Sequence, residues 1–389
     1  MRHQATLFEQ TVSHFCWDRF DRLVRQHGAD AAQRGFTSRH HFLALLAEAL
    51  GGHGSLRKLI AALAPNGGAL RLLGGKAPAR STLSDAMRDR PAELFFDLLQ
   101  ELLCHAGHRK MRQGLREAVR LIDATHLSLG TRMKRWFALH KGTVAAKLHV
   151  VFDPAAQRPT YFALTQARIN DITAAKCLLP IEPGATYVFD LGYYDFAWWA
   201  RLAAHGCSFV TRLKANTVLR DTEPRAVVPG GSVLADQVGY LPERLASNRH
   251  NPFDQKGREI VIRIDNGKVL RLFTNDLLSP AEEIAALYKE RWQIELFFKS
   301  VKQNLRISKF LGTSENAIRA QIAVAFIAYL LVRLVQTAQQ TVHAASIVLA
   351  VIRAHLFVRR PIAEMLDPRQ PPPPRQSAPA AQLMLPIGN

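Results

Sequence analysis

A chain of 389 residues with 48% hydrophobic side chains is long enough to bury a sizeable core and to hold two or three domains. Lys and Arg number 51 against 32 Asp and Glu, a formal charge of +19, which favours a polyanionic partner, nucleic acid before a membrane surface. The cysteines, Cys16, Cys104, Cys177 and Cys207, lie far apart with no Cys-x2-Cys pair, so neither a zinc site nor a disulfide framework is indicated and a reducing cytoplasm is the natural compartment.

Residues 1–112 read as a helical domain. Phe42, Leu43, Leu45, Leu46 and Leu50 recur at helical spacing, and Ser55 is placed to cap a short helix, Leu56 to Leu63, before the Gly/Pro-rich stretch from Pro65 to Ala77. Ser81 or Thr82 can cap a helix through Met87, flanked by Arg80, Arg88 and Arg90, and Pro91 opens another through Leu103. Small helices, tight turns and clustered arginines suggest a helix-turn-helix-like DNA reader; a helical bundle with a basic surface is the alternative, because no base-reading side chain can be picked out.

The pattern then changes to strands, and residues 113–305 read as one α/β core. Val119, Leu121 and Ile122 lead into Asp123; Lys147 to Phe152 and Tyr161 to Thr165 are two further β-rich runs, followed by a helix from Ile172 to Leu179. Ala185 to Asp190 is a short apolar strand ending in an acid and a turn; a helix, Phe196 to Ala204, and a strand, Ser208 to Leu213, come next. Three strands, then helix, strand, helix, strand and a long helix is the order of an RNase H-like core. Residues 214–275 read as a β-rich insertion, in which Arg258 to Asp265 and Lys268 to Thr274 alternate around Asn266-Gly267, a type I′ hairpin signal.

The stretch from Leu277 to Lys302 reads as one helix, with Ser279 as N-cap, Pro280 at the first helical position and Glu282 completing a capping box. Ile284, Leu287, Ile294, Phe298, Val301 and Leu305 form its apolar stripe, while Tyr288, Arg291, Glu295 and Lys302 fall within an arc of about 60° beside it. Read without context, Arg291 and Glu295 make an ordinary i,i+4 ion pair. Residues 306–366 read as a helical C-terminal region in which Ile322 to Leu334 is apolar all round and buried, the uninterrupted run Ile322 to Val332 being too short to span a bilayer before Arg333, and 367–389 as a disordered Pro-rich tail.

The spacing Tyr288-x2-Arg291-x3-Glu295-x6-Lys302 resembles the signature of the insertion-sequence-4 family of DDE transposases, without departure from the pattern. Asp123-Ala-Thr, Asp190-Leu-Gly-Tyr-Tyr-Asp, Lys147-Leu-His149-Val and Asn170-Asp171 resemble the same family's sequences, and the likeness runs from about Phe36 to Leu356. It implies that Asp123, Asp190 and Glu295 are the catalytic acids, on an RNase H-like core interrupted by a β-rich insertion between a helical N-terminal domain and a helical C-terminal region.

An aspartate inside a buried strand is costly unless paired or metal-bound, as for Asp123 behind Val-Arg-Leu-Ile, and Asp190 closes a strand where ligands of open α/β sheets gather. Three carboxylates suit Mg²⁺ or Mn²⁺, hard cations that take oxygen ligands. Tyr288, Arg291 and Lys302 would bind DNA phosphate, and Trp292 would stack on an unpaired base or pack in the core. The expected partner is double-stranded DNA, as element ends and target, met by a homodimer in a synaptic complex near the nucleoid. An RNase H-like nuclease without strand transfer, or a non-catalytic DNA-binding protein derived from a transposase, are the other readings.

Overall fold

A computed structural model describes residues 4–31, 33, 35–107, 118–128, 139–140, 143–244, 249–264, 267–304 and 310–367. The chain begins with α1 (Leu7–Val12), α2 (Trp17–Gln26), α3 (Ser38–Gly51), α4 (Leu56–Leu63), α5 (Gly67–Leu72), α6 (Arg80–Asp89) and α7 (Glu93–Gly107). Ser55 caps α4 by accepting the Lys58 amide, as its position predicts. At α6 the expectation is corrected: the helix starts at Arg80 with Ala79 as N-cap, so Ser81 and Thr82 lie inside it. Pro91 likewise precedes α7 by two residues rather than opening it.

Next come β1 (Val119–Ser128), β2 (Leu139–His140), β3 (Thr143–Asp153), β4 (Arg158–Gln166), α8 (Asp171–Leu178), β5 (Thr186–Val188), α9 (Phe196–Ala204) and β6 (Ser208–Arg212). Four strands follow, β7 (Arg220–Pro224), β8 (Val233–Tyr240), β9 (Lys256–Arg263) and β10 (Val269–Thr274). The sheet has the order β2-β3-β1-β5-β6-β10-β9-β8-β7, with β4 paired to β3. β3 pairs antiparallel with β1 on one side and β4 on the other, whereas β5 runs parallel to both β1 and β6. The insertion does not stand apart. β10 pairs with β6, so the four added strands cover what would otherwise be an open sheet edge. Gly267 has φ +80°, as a type I′ hairpin requires; its partners in that signal, Asp265 and Asn266, lie outside the described residues.

The long helix is two, α10 (Ala281–Glu290) and α11 (Trp292–Asn304), with Arg291 between them at a turn tightened by its amide bonding Tyr288 O at 3.2 Å. Its start corrects the expected capping box. Asp276 Oδ1 accepts both the Leu278 and Ser279 amides at 2.9 Å and bonds the Ser279 hydroxyl, so Ser279 belongs to that turn and Pro280 is the N-cap. Ile284, Ile294, Phe298 and Val301 are buried as the stripe predicts, joined by Phe297; Leu305 lies outside the described residues.

The C-terminal helices α12 (Glu315–Ala338), α13 (Ala345–Ala354) and α14 (Ile362–Leu366) pack on the N-terminal ones, not beside them. α12 lies against α3 and α7, the Leu7 and Phe8 amides bond Val358 O and Leu356 O at 3.0 and 2.8 Å, and Arg353 donates to Leu50 O. α12 has the length and apolarity of a membrane span, yet 72% of its most apolar window is buried inside the protein, as in a core helix. Phe326 stacks on Phe162 of β4, which stacks on Phe96 of α7, so the helical body and the sheet share one core. The Pro-rich tail lies outside the described residues.

Candidate active site

Parallel pairing sets Leu121 of β1 beside Val188 of β5. Two residues further along the chain from each come Asp123 and Asp190, which therefore emerge at the same level and toward the same side of the sheet. Leu121, Val188, Leu148 and Val150 on that face are buried under Ile294, Phe297 and Phe298 of α11, with the Phe297 ring 5.2 Å from that of Phe152. The apolar stripe of α11 thus delivers Glu295, in the first turn of the helix, to the rim above Asp123. Asp123 Oδ1 accepts the Ala124 amide at 2.8 Å, and Asp190 Oδ1 accepts the Gly192 amide at 2.8 Å as the cap of a 3-10 turn, Leu191–Tyr193.

Arg291 ties the acids together. Its Nη2 donates to Glu295 Oε1 at 2.6 Å and its Nη1 lies 3.6 Å from Asp123 Oδ2. The i,i+4 pair anticipated on the helix surface is present, but the guanidinium is only 20% exposed and reaches inward to a third residue. A cavity of about 410 Å³ opens beside it, lined by Asp123, Thr125, Glu295, Phe298, Lys299 and Lys302. Lys302 is close enough to feel the charge of Asp123, though partial burial lowers its pKa. Tyr288 is 8% exposed; burial raises its hydroxyl, which also feels Arg291, Arg212 and Asp190. Trp292 is 52% exposed at the rim, so it is not a core side chain.

Burial pushes the Asp123 carboxyl up to about 7; the Ala124 amide pulls it down, Asp190 pushes it up, Arg291 pulls it down and Glu295 pushes it up. Burial, more than neighbouring charge, is what makes the ionised form of Asp123 costly here. The donors are hard oxygens, which fits a divalent cation of the magnesium kind. Among the described residues, however, no three His, Cys, Asp or Glu side chains stand as a ready-made ligand set, so the acids are splayed.

Of the residues singled out by sequence, Asp123, Arg291, Glu295 and Lys302 meet at the cavity and Asp190 and Tyr288 flank it, while Trp292 is exposed and not in the cavity lining. Lys299 was missed. Its only signal is a spacing of four from Glu295, which any solvated helix face also shows. Asp171 was noted only as part of a family word, yet its Oδ2 and Asp190 Oδ1 lie 3.2 and 3.0 Å from where a Cβ on Gly192 would stand.

The family model for the transposase DDE domain matches residues 114–331, more than half of the chain, and a domain of unknown function matches residues 3–76. The chain is 36% identical over 298 residues to y4zB of Sinorhizobium fredii, named a transposase, covering 76% of this chain and 82% of that one. It is 31% identical over 270 residues to the transposase named for insertion sequence element IS5377 of Geobacillus stearothermophilus, covering 67% and 69%. A solved piggyBac transposase synaptic complex with hairpin DNA is a distant likeness, with a TM-score of 0.47 at 9% identity over 95% of this chain and 87% of that one. With a DDE domain over its sheet and insertion-sequence relatives on both measures, the chain belongs to the DDE transposases, among insertion-sequence-4-like relatives.

Proposed function

We propose that this transposase cuts DNA at the terminal inverted repeats of its own insertion element and joins the freed 3′ hydroxyls to target DNA, as a homodimer holding two ends together. The strand order β4-β3-β1-β5-β6, antiparallel in its first part and parallel in its second, supports an RNase H-like core for that chemistry. The observation that carries the reading is Asp123, a carboxylate fixed in mid-strand and pushed up to about 7, with Asp190 and Glu295 near enough to add to its burden. A fold keeps such a group where a bound cation will balance it.

In this reading Asp123, Asp190 and Glu295 hold Mg²⁺ or Mn²⁺. Divalent ions held there would supply activation of the attacking oxygen and stabilisation of the leaving one. Arg291 serves as the internal counter-cation that keeps Asp123 and Glu295 in reach of each other, and would turn the spare N–H groups of Nη1 and Nη2 to a DNA phosphate. Lys299 and Lys302, on the cavity wall, bind the DNA backbone as point charges, and Tyr288 is a hydroxyl donor at the buried end of the same helix face. Trp292 offers an exposed ring to a base taken out of the stack. The test is incubation of the full chain with Mg²⁺ and a duplex ending in the element's own repeat, identified from the DNA flanking the gene. Nicking followed by joining of the labelled 3′ end to a second duplex is expected; nicking without any joined product would return the protein to the nucleases.

A further inference from the structure

Asp190 is approached from a second side. Asp171, the first residue of α8, has Oδ1 3.0 Å from Lys147 Nζ and 3.9 Å from His149 Nδ1. Lys147 is nearly buried and also donates to Ile169 O at 2.9 Å, while His149 is fully buried with Nε2 at 2.9 Å from Thr165 Oγ1. In β3 these two stand opposite His126 and Ala124 of β1, so they belong to the sheet face that Asp123 does not use. Lys147 thus pairs in charge with Asp171 from behind, although Asp171 Oδ1 itself accepts no hydrogen bond among the described residues. The other oxygen, Oδ2, and Asp190 Oδ1 both border Gly192, 3.2 and 3.0 Å from where a Cβ there would stand, which leaves the two carboxylates on one small space.

Two carboxylates on one small space raise each other's cost, and burial allows it only where cations offset both. Lys147 offsets one. The hydroxyl of Tyr193, 1% exposed, has no hydrogen-bond partner among the described residues and feels the charges of Asp123, Asp171 and Asp190. His149 Nδ1, facing Asp171, has none either. Buried polar atoms without partners, grouped behind a pair of acids, mark a site whose electrostatics are complete only when something else is bound.

We propose that Asp171 is a positioning residue for the divalent-ion site: held by Lys147, its charge turns the Asp190 carboxylate toward Asp123 and strengthens the grip of that pair on the cation. Gly192 leaves open the space that the two acids border. The inference rests on the reading of Asp190 as a metal-holding acid. Groups behind a metal ligand typically change metal affinity by about 10–100-fold when lost.

The experiment is Mn²⁺ binding to the full chain without DNA, followed by electron paramagnetic resonance of the free ion, beside thermal unfolding, for wild type, Asp171→Asn, Gly192→Ala, Lys147→Met and Asp190→Asn. Asp171→Asn should bind Mn²⁺ about tenfold or more weakly while unfolding within a few degrees of wild type. Gly192→Ala, whose Cβ would crowd Asp190 Oδ1 directly, should also weaken binding. Lys147→Met, which releases Asp171 without touching Asp190, decides the question if Asp171→Asn does not fold: it should weaken Mn²⁺ binding, and wild-type affinity there would overturn the role of Asp171. Asp190→Asn should bind no Mn²⁺ at the site. Wild-type affinity in Asp171→Asn, with or without a lowered unfolding temperature, beside lost binding in Asp190→Asn, would overturn the role of Asp171 and leave the acid site standing. Wild-type affinity in Asp190→Asn would remove the reading beneath both.

Discussion

Asp123 works against its own fold. Its carboxyl is raised to about 7 in the folded chain, chiefly by burial, whereas an unfolded aspartate titrates near 3.9. Below the lower value both states hold the proton and nothing is lost; as pH rises between the two, the unfolded chain sheds its proton first, and above about 7 the whole penalty is present. In chelator, Asp123→Asn should therefore raise the unfolding temperature at pH 8, by a free energy on the order of 1–4 kcal/mol, and give little or no gain at pH 4. An equal gain at both values would show that the charge is not the cost. Arg291 and Lys302 should part company in the same assays. Arg291, 20% exposed and shared between Asp123 and Glu295, should lose about 1–3 kcal/mol of stability on change to alanine as well as cleavage. Lys302, exposed on the cavity wall, should lose about tenfold in cleavage with an unchanged unfolding curve. The Arg291–Glu295 contact was legible from a spacing of four on one helix, and Asp123 as an acid set in an apolar strand. Asp171 was not: a turn aspartate looks alike whether it caps a helix or lies near another acid, and only tertiary approach beside Gly192 tells them apart.

At the level of elements, alternation and apolar stripes located β3, β4, β9, β10, α4, α8 and α9 closely, since each buries one face. β7, Arg-Asp-Thr-Glu-Pro, was illegible because all five residues are exposed and carry no apolar alternation; its pairing with β8 alone makes it a strand. The start of α10 was misread because Asp276, outside the expected motif, accepts the Leu278 and Ser279 amides and draws Ser279 into its own turn, which leaves Pro280 as the N-cap. The same junction connects the insertion to the helix that leads into the site. Arg258 of β9 forms a bidentate pair with Asp236 of β8, both 3% exposed, and its Nη1 donates to Ser279 O at 2.5 Å just before α10. Arg258→Ala leaves a buried aspartate unpaired and should cost about 3–5 kcal/mol. Double replacement with Asp236→Asn should recover part of that in chemical denaturation. A single variant as stable as wild type would mean that the insertion does not brace the helix.

At the scale of the whole molecule, the sequence divides into helical ends around an α/β middle, and that division is visible in composition and periodicity alone. What it conceals is that the two ends form one body, with α12 as the common member, because a contact such as Phe8 with Leu356 has no local signal. The net charge of +19 favours a polyanionic partner without saying where it would lie; the cavity is lined by Lys299 and Lys302 together with two acids, Asp123 and Glu295. Sheet, α11 and cavity together make one claim, that Asp123, Asp190 and Glu295 act as a single metal-dependent centre for cutting DNA. The most direct measurement compares nicking of the element's own end, with and without Mg²⁺, by wild type, Asp123→Asn, Asp190→Asn and Glu295→Gln, beside end binding by each. Cleavage should require the metal and vanish in all three variants while binding stays at or slightly above the wild-type level, since each loses a negative charge near phosphate. Cleavage near wild type in any one of them, at undiminished binding, would contradict the account.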